Sequence, residues 1–440
     1  MVPSSLEHLY QVHIQKQFDQ VCQLLEAGSF DGLLIAAGSL LHPFRDDVDY
    51  PFKVNPYFKA WLPLLDQPGS YVWLKPGDDK PVLFFNQPRD IWHQVNQLDD
   101  EAVQRAFRVH VIAAPRELSA ALQKTGAQKM AFIGEAQDSP DLSTEQNPQD
   151  LLAALDYRRA YKSDYEVACM VQATEKAVSG HRAAEQCFRQ GGSEYDIHMA
   201  YLQASGHLEE ELPYGNIIAL NHHAAVLHYT QKRRQPPAQS HSFLIDAGAS
   251  VAGYVSDISR TYSAEQCVFS DLIAAMEQLQ QSVVERIRPG EAYLDLHRWT
   301  HTQLAGVLQQ FELIRCSPQQ AVEEQLTQAF FPHGLGHLLG LQVHDRGGWM
   351  QSLDGTELPP PPEHPYLRLT RPVEVGQVFT IEPGLYFIPA LLEPLKHSAK
   401  GQWVNWSAVD ALMPYGGIRI EDNIYIGPDG VRNLTREAGL

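Results

Sequence analysis

The stretch Phe243-Leu-Ile-Asp-Ala-Gly-Ala249, returning through Tyr254-Val-Ser-Asp-Ile-Ser-Arg-Thr261, decides how this chain is read. In the first half an aspartate follows three apolar residues and precedes a turn of small residues. In the second another aspartate sits within a strand-like run. The two halves read as antiparallel strands that bring Asp246 and Asp257 side by side. A buried carboxylate without a partner is costly, so an apolar approach to each acid points to a cation between them. Taken alone, the pair also has an ordinary explanation, with Asp246 starting a turn and Asp257 solvated at a strand edge.

Three downstream segments change that balance. Phe331-Pro-His-Gly-Leu-Gly-His337 sets two histidines four apart, with His344-Asp345 seven residues further on. Gly334 and Gly336 favour a tight non-helical turn over a helix face, and no glutamate follows His333, which excludes the zinc-protease helix motif. Thr380-Ile-Glu-Pro-Gly-Leu-Tyr386 again places an acid after an apolar strand, which Pro383-Gly384 breaks directly behind Glu382. In Ile418-Arg-Ile-Glu-Asp422, Arg419 and Glu421 share one strand face, an arrangement that alone would suit a cross-strand ion pair. Together Asp246, Asp257, His337, Glu382 and Glu421 supply four carboxylates and one imidazole. That is a ligand set for two divalent cations and the hydroxide nucleophile of metal-assisted hydrolysis. Oxygen-rich ligation without thiolate favours Mn2+ or Co2+ over Zn2+, with Zn2+ the alternative.

At 440 residues the chain exceeds one ordinary core and is expected to form two domains. Hydrophobic residues make up 44% and charged residues 20%, a globular balance. With 34 basic against 53 acidic residues the formal net charge is -19, which argues against nucleic acid and anionic membrane as partners. Met1 to Gln20 lacks the basic start and apolar run of a secretory signal, and no apolar run is long enough to span a bilayer. Five scattered cysteines without paired spacing fit a reducing cytoplasm.

The first third alternates strand-like runs (32–37, 70–74, 81–85, 109–113, 130–134) with helical stretches (6–27, 102–107), the pattern of a mixed α/β domain over residues 1–158. The turn-rich segment 138–150 reads as a linker, and the second domain as residues 159–440. There, helices are expected over 163–187, 271–287 and 293–309, and strands over 243–247, 253–262, 378–387 and 417–426. Pro359 to Pro362 reads as a surface loop.

The Asp-Ala-Gly and Ser-Asp-Ile-Ser-Arg-Thr pair, His-Gly-Leu-Gly-His, Thr-Ile-Glu-Pro-Gly and Arg-Ile-Glu occur in the order of a known family. The chain resembles the metal-dependent prolidases, Xaa-Pro dipeptidases whose catalytic domain has the pita-bread (creatinase/aminopeptidase-like) fold. The stretch Asp49-Tyr-Pro-Phe-Lys-Val-Asn-Pro-Tyr-Phe-Lys-Ala-Trp61 looks like the bacterial branch that includes organophosphorus acid anhydrolases. The resemblance implies that Asp246 holds one metal, that His337 and Glu382 hold the other, and that Asp257 and Glu421 bridge both. It also implies that Glu382 shuttles a proton and that Tyr214, His228, His333, His344 and Arg419 serve the substrate. In the family the amino-terminal domain helps close the pocket of a partner subunit, which makes the chain an expected homodimer and Asp46 or Asp47 a contributor across it. The expected substrates are therefore small Xaa-Pro dipeptides, with phosphotriester hydrolysis as a side activity. The alternatives are phosphotriester hydrolysis as the main activity, an aminopeptidase acting on longer peptides with proline second, and a non-catalytic binding protein that reuses the fold, although such proteins characteristically lose ligands and this chain retains all five.

Overall fold

A computed structural model describes residues 1–88, 91 and 95–440. The amino-terminal domain is built on one six-stranded sheet, ordered 108–112, 82–86, 71–74, 32–36, 130–133, 144–146. Strand Gly32–Ala36 runs antiparallel to Tyr71–Leu74 and parallel to Met130–Ile133. Successive side chains of a strand point to opposite faces, and here both faces are buried. Leu33 and Ile35 pack with Tyr10, Ile14 and Phe18 of helix Glu7–Ala27, while Leu34 and Ala36 pack with Leu118 and Leu122 of helix Pro115–Lys124.

The segment 138–150 departs from the linker reading. Thr144–Gln146 is the sixth strand, parallel to Met130–Ile133, and Gln149–Arg159 forms a helix. Its polar composition reflects an exposed sheet edge rather than a flexible connection. The core that the amino-terminal sheet shares with helix Glu7–Ala27 extends into Tyr165, Met170, Tyr254, Leu341 and Val378, so apolar packing is continuous across the two domains.

Ser163 caps the next helix, Asp164–Arg189, by accepting from the Glu166 amide while the Glu166 carboxylate accepts from the Ser163 amide at 2.7 Å. This reciprocal pair satisfies two donors that a helix start leaves open. Helices Glu194–Ser205, Val268–Arg286 and Tyr293–Gln310 complete the large helical layer. Against it lie two three-stranded sheets, ordered 259–263, 242–246, 217–220 and 378–381, 422–427, 430–433, together with the pair 384–386 and 417–419. Isolated bridges from Ser259 to Glu421 and from Leu338 to Phe379 stitch these pieces together.

Three strands expected as continuous are each interrupted. The run 253–262 divides into Tyr254–Val255 and Ser259–Ser263, 378–387 into Val378–Ile381 and Gly384–Tyr386, and 417–426 into Gly417–Arg419 and Asp422–Gly427. Asp257, Glu382 and Glu421 fall in these breaks, where the ladder stops and the side chains are free to converge. Among the described residues no helix is long and apolar enough to cross a membrane.

Candidate metal centre

The two sheets meet where their strands end in acids. Ser242–Asp246 pairs antiparallel with Ser259–Ser263, Asp246 lying opposite Ser259, and Asp257 sits in the buried connection just before that partner strand. Glu421 lies between strands Gly417–Arg419 and Asp422–Gly427, with its amide donating to the Ser259 carbonyl at 3.0 Å.

The turn carrying the histidines is non-helical, as its glycines require. At Gly336 an added Cβ would lie 2.1 Å from the Thr380 carbonyl oxygen and 2.4 Å from the Tyr293 hydroxyl, so only glycine lets this turn press against strand Val378–Ile381. His337 is thereby fixed, its amide donating to Thr380 Oγ1 at 3.2 Å and its Nδ1 to the Leu338 carbonyl at 3.0 Å. The Nε2 atom then faces Asp257 Oδ2 at 3.3 Å and Glu382 Oε1 at 3.7 Å. A ring held through Nδ1 and aimed through Nε2 is the usual posture of a metal-ligating histidine.

The remaining groups form a continuous chain. The Tyr214 hydroxyl touches Asp246 Oδ1 at 2.8 Å and also Asp257 Oδ1. Ser259 Oγ donates to Glu421 Oε2 at 2.7 Å, and Arg419 Nε donates to Ser259 Oγ at 2.9 Å. Arg419 and Glu421 thus face the same side, but the ion pair forms between Arg419 and Asp246. Ligand atoms of Asp257, His337 and Glu421 all lie within 4.8 Å of one another.

His333 bonds the Tyr386 hydroxyl through Nε2 at 2.8 Å, and burial holds its pKa down at about 3. His344 packs edge-on against His337, ring centroids 4.5 Å apart. His228 is exposed and near enough to His333 to disfavour its protonation. Asp46 and Asp47 are exposed on the loop 40–50, and among the described residues of one chain neither bonds to this cluster.

Electrostatics favour cations. Burial pushes Glu382 up to about 7, against the opposing pull of His337 and Arg419. Burial and then the neighbouring carboxylates drive Glu421 well above its ordinary range, and burial also raises Asp246 despite Arg419. Burial works the same way on Asp257, but there the His337 imidazole and the Tyr214 hydroxyl outweigh it and move the carboxyl down. Ionised, the four carboxylates would outnumber the one guanidinium by three charges, which two dications together with one hydroxide would balance.

Sequence reasoning misses Tyr386, which joins His333 to Arg419, and Glu194. The buried Glu194 carboxylate accepts from Leu220 N, Tyr229 OH and Arg233 N and pairs with His223, fixing the loop that carries His228. Tyr386 lies inside a quoted motif, whereas the partners of Glu194 are too dispersed in sequence to signal it.

Residues 8–157 match the family of Xaa-Pro dipeptidase amino-terminal domains, and residues 168–428 match metallopeptidase family M24. The chain belongs to metallopeptidase family M24, which implies a dinuclear divalent-metal site. It is 47% identical to an Xaa-Pro dipeptidase of Shewanella loihica over 438 residues, covering 99% of each chain. Identity to an Xaa-Pro dipeptidase of Aeromonas hydrophila is also 47%, over 99% of this chain and 100% of that one. Among solved structures, Pseudomonas aeruginosa aminopeptidase PepP shares the fold at TM-score 0.73 and 22% identity, covering 97% of this chain and 95% of that one. Zinc-substituted Escherichia coli aminopeptidase P in complex with product matches at TM-score 0.72 and 23% identity, over 96% and 95%.

Proposed function

We propose that this chain is an Xaa-Pro dipeptidase, hydrolysing the peptide bond before a carboxy-terminal proline in dipeptides. The observation that carries the reading is the convergence of Asp246, Asp257, His337, Glu382 and Glu421, from separate segments, on one cluster in which Asp257, His337 and Glu421 are buried and Asp246 and Glu382 partly so. Full-length similarity to curated Xaa-Pro dipeptidases supports the substrate class.

In this reading Asp246 would hold one cation, His337 and Glu382 the other, and Asp257 and Glu421 would be shared between them. When bound, the cations supply the charge that polarises the scissile carbonyl and ionises the attacking water. Mn2+ is the first choice, with Co2+ and Zn2+ as alternatives. Tyr214 orients the two aspartates. His228, His333, His344 and Arg419 grip the substrate carboxylate and stabilise the charge that develops during attack. Glu382 carries the proton from the water to the departing proline nitrogen.

The loop 40–50 exposes Phe44 at 93%, Val48 at 64% and Leu41 at 55%, which supports a homodimer in which Asp46 or Asp47 reaches the partner's pocket. All five cysteines are free, in keeping with a cytoplasmic location. Phosphotriester hydrolysis is assigned as a side activity, measured by its turnover relative to an Xaa-Pro dipeptide.

The test is proline release from Ala-Pro and Leu-Pro by metal-stripped protein, with and without Mn2+, beside cleavage of Ala-Pro-Gly. Mn2+-dependent cleavage of the dipeptides alone is expected. Cleavage of the tripeptide would move the assignment to an aminopeptidase, and silence on all three to a non-catalytic protein.

A further inference from the structure

A second cluster of ligating side chains lies outside the carboxylate centre. His297 and His301 are four apart on helix Tyr293–Gln310 and so share a face, and His364 approaches them from the loop after Pro359–Pro362. One ring nitrogen from each lies within 4.8 Å of the other two. The His297 and His364 rings are 4.3 Å apart at 88°, and His297 and His301 are 4.7 Å apart at 89°. His297 is 1% exposed, and its Nδ1 is buried with no hydrogen-bond partner among the described residues. His301 is 3% exposed and its Nδ1 meets Thr327 Oγ1 at 2.9 Å, which fixes the ring and leaves Nε2 to act as a ligand.

Three imidazoles packed against one another make poor structural filler, since a buried polar atom normally finds a partner. Burial holds all three below their ordinary pKa, with repulsion between the rings adding to it at His297 and His301. They are thereby kept neutral, the form that binds metal. The loop is already drawn to the helix, Arg298 Nη2 meeting Glu363 Oε1 at 3.0 Å. The cluster borders a cavity of about 690 Å³ that His333 also lines, so a fourth ligand position is open to water.

We propose that His297, His301 and His364 form a third metal site, separate from the carboxylate centre, which takes a zinc-class dication and clamps the 361–367 loop onto helix Tyr293–Gln310. An all-imidazole donor set with an open fourth position suits Zn2+ and disfavours Mn2+, so the two centres select different metals.

The experiment is the zinc content per chain of metal-stripped protein reloaded with Zn2+ and freed of excess, for the unaltered chain and for His364→Ala. His364 is only partly buried, so the substitution leaves the core intact. The expected result is one zinc fewer per chain in the variant; equal contents would overturn the proposal. The same comparison in an Asp257→Ala background removes dependence on the carboxylate centre. There the single substitution should keep the zinc that the double substitution with His364→Ala loses, and equal contents would again overturn the site.

Discussion

The Arg419 guanidinium rests on the Asp246 carboxylate, Nη2 to Oδ2 at 2.7 Å, with little of either side chain exposed. Arg419 also donates to Ser259 Oγ and, through Nη1, to the Tyr386 hydroxyl at 2.9 Å. It stands among the four carboxylates, and in the proposed function it stabilises negative charge during attack on the substrate carbonyl. Arg419→Ala should therefore lower kcat/KM for Ala-Pro by roughly 100- to 1,000-fold, the usual cost of removing one such donor. A loss of less than about threefold would remove Arg419 from the machinery.

Asp257 and Glu421 have ligand atoms within 4.8 Å of each other and of His337, and both are buried. Asp257→Ala or Glu421→Ala should abolish Mn2+-dependent proline release while the metal content of the protein falls. Near-full activity in either variant would sink the bridging assignment.

Tyr386 touches His333 Nε2 at 2.8 Å and Arg419 Nη1 at 2.9 Å, so its hydroxyl sets the distance between two groups to which the proposed function gives the substrate. Each hydrogen bond is worth about 0.5–1.5 kcal/mol. Tyr386→Phe keeps the ring and loses both bonds, which predicts a fall in kcat of roughly tenfold. The pH profile of the variant is the discriminating readout, because freeing His333 Nε2 should shift it, whereas a purely structural role would leave it unmoved.

The acids are legible in the sequence because each lies where a strand ends or breaks, so that local pattern and cluster coincide. Gly334 and Gly336 likewise announce a non-helical turn, and the close approach of Gly336 to Thr380 is the reason. What stays hidden depends on partners distant in sequence. The Arg419–Asp246 pair spans 173 residues, and no local spacing could choose Asp246 over Glu421 as its partner. Strand Thr144–Gln146 is masked by its polar residues, which its edge position explains. His297 and His301 look like ordinary helix positions until the fold brings His364 beside them.

His181 offers a test of stability against pH. It is fully buried on helix Asp164–Arg189, bonded through Nε2 to the Ala247 carbonyl at 2.9 Å, and burial holds its pKa down from 6.5 to about 3. In the unfolded chain the imidazole takes a proton near its ordinary value, while in the folded chain it stays neutral until far lower pH. The unfolded state thus binds more protons across this window, so the contribution of His181 is complete above pH 6.5 and is lost as pH falls toward about 3. The slope is about 1.4 kcal/mol per pH unit. Urea unfolding of metal-stripped protein between pH 7 and pH 5, taken as about half of that window, should show this component in the unaltered chain and not in His181→Gln. Because the other titrating groups are common to both proteins, parallel stability curves would mean that His181 does not stay neutral in the folded state.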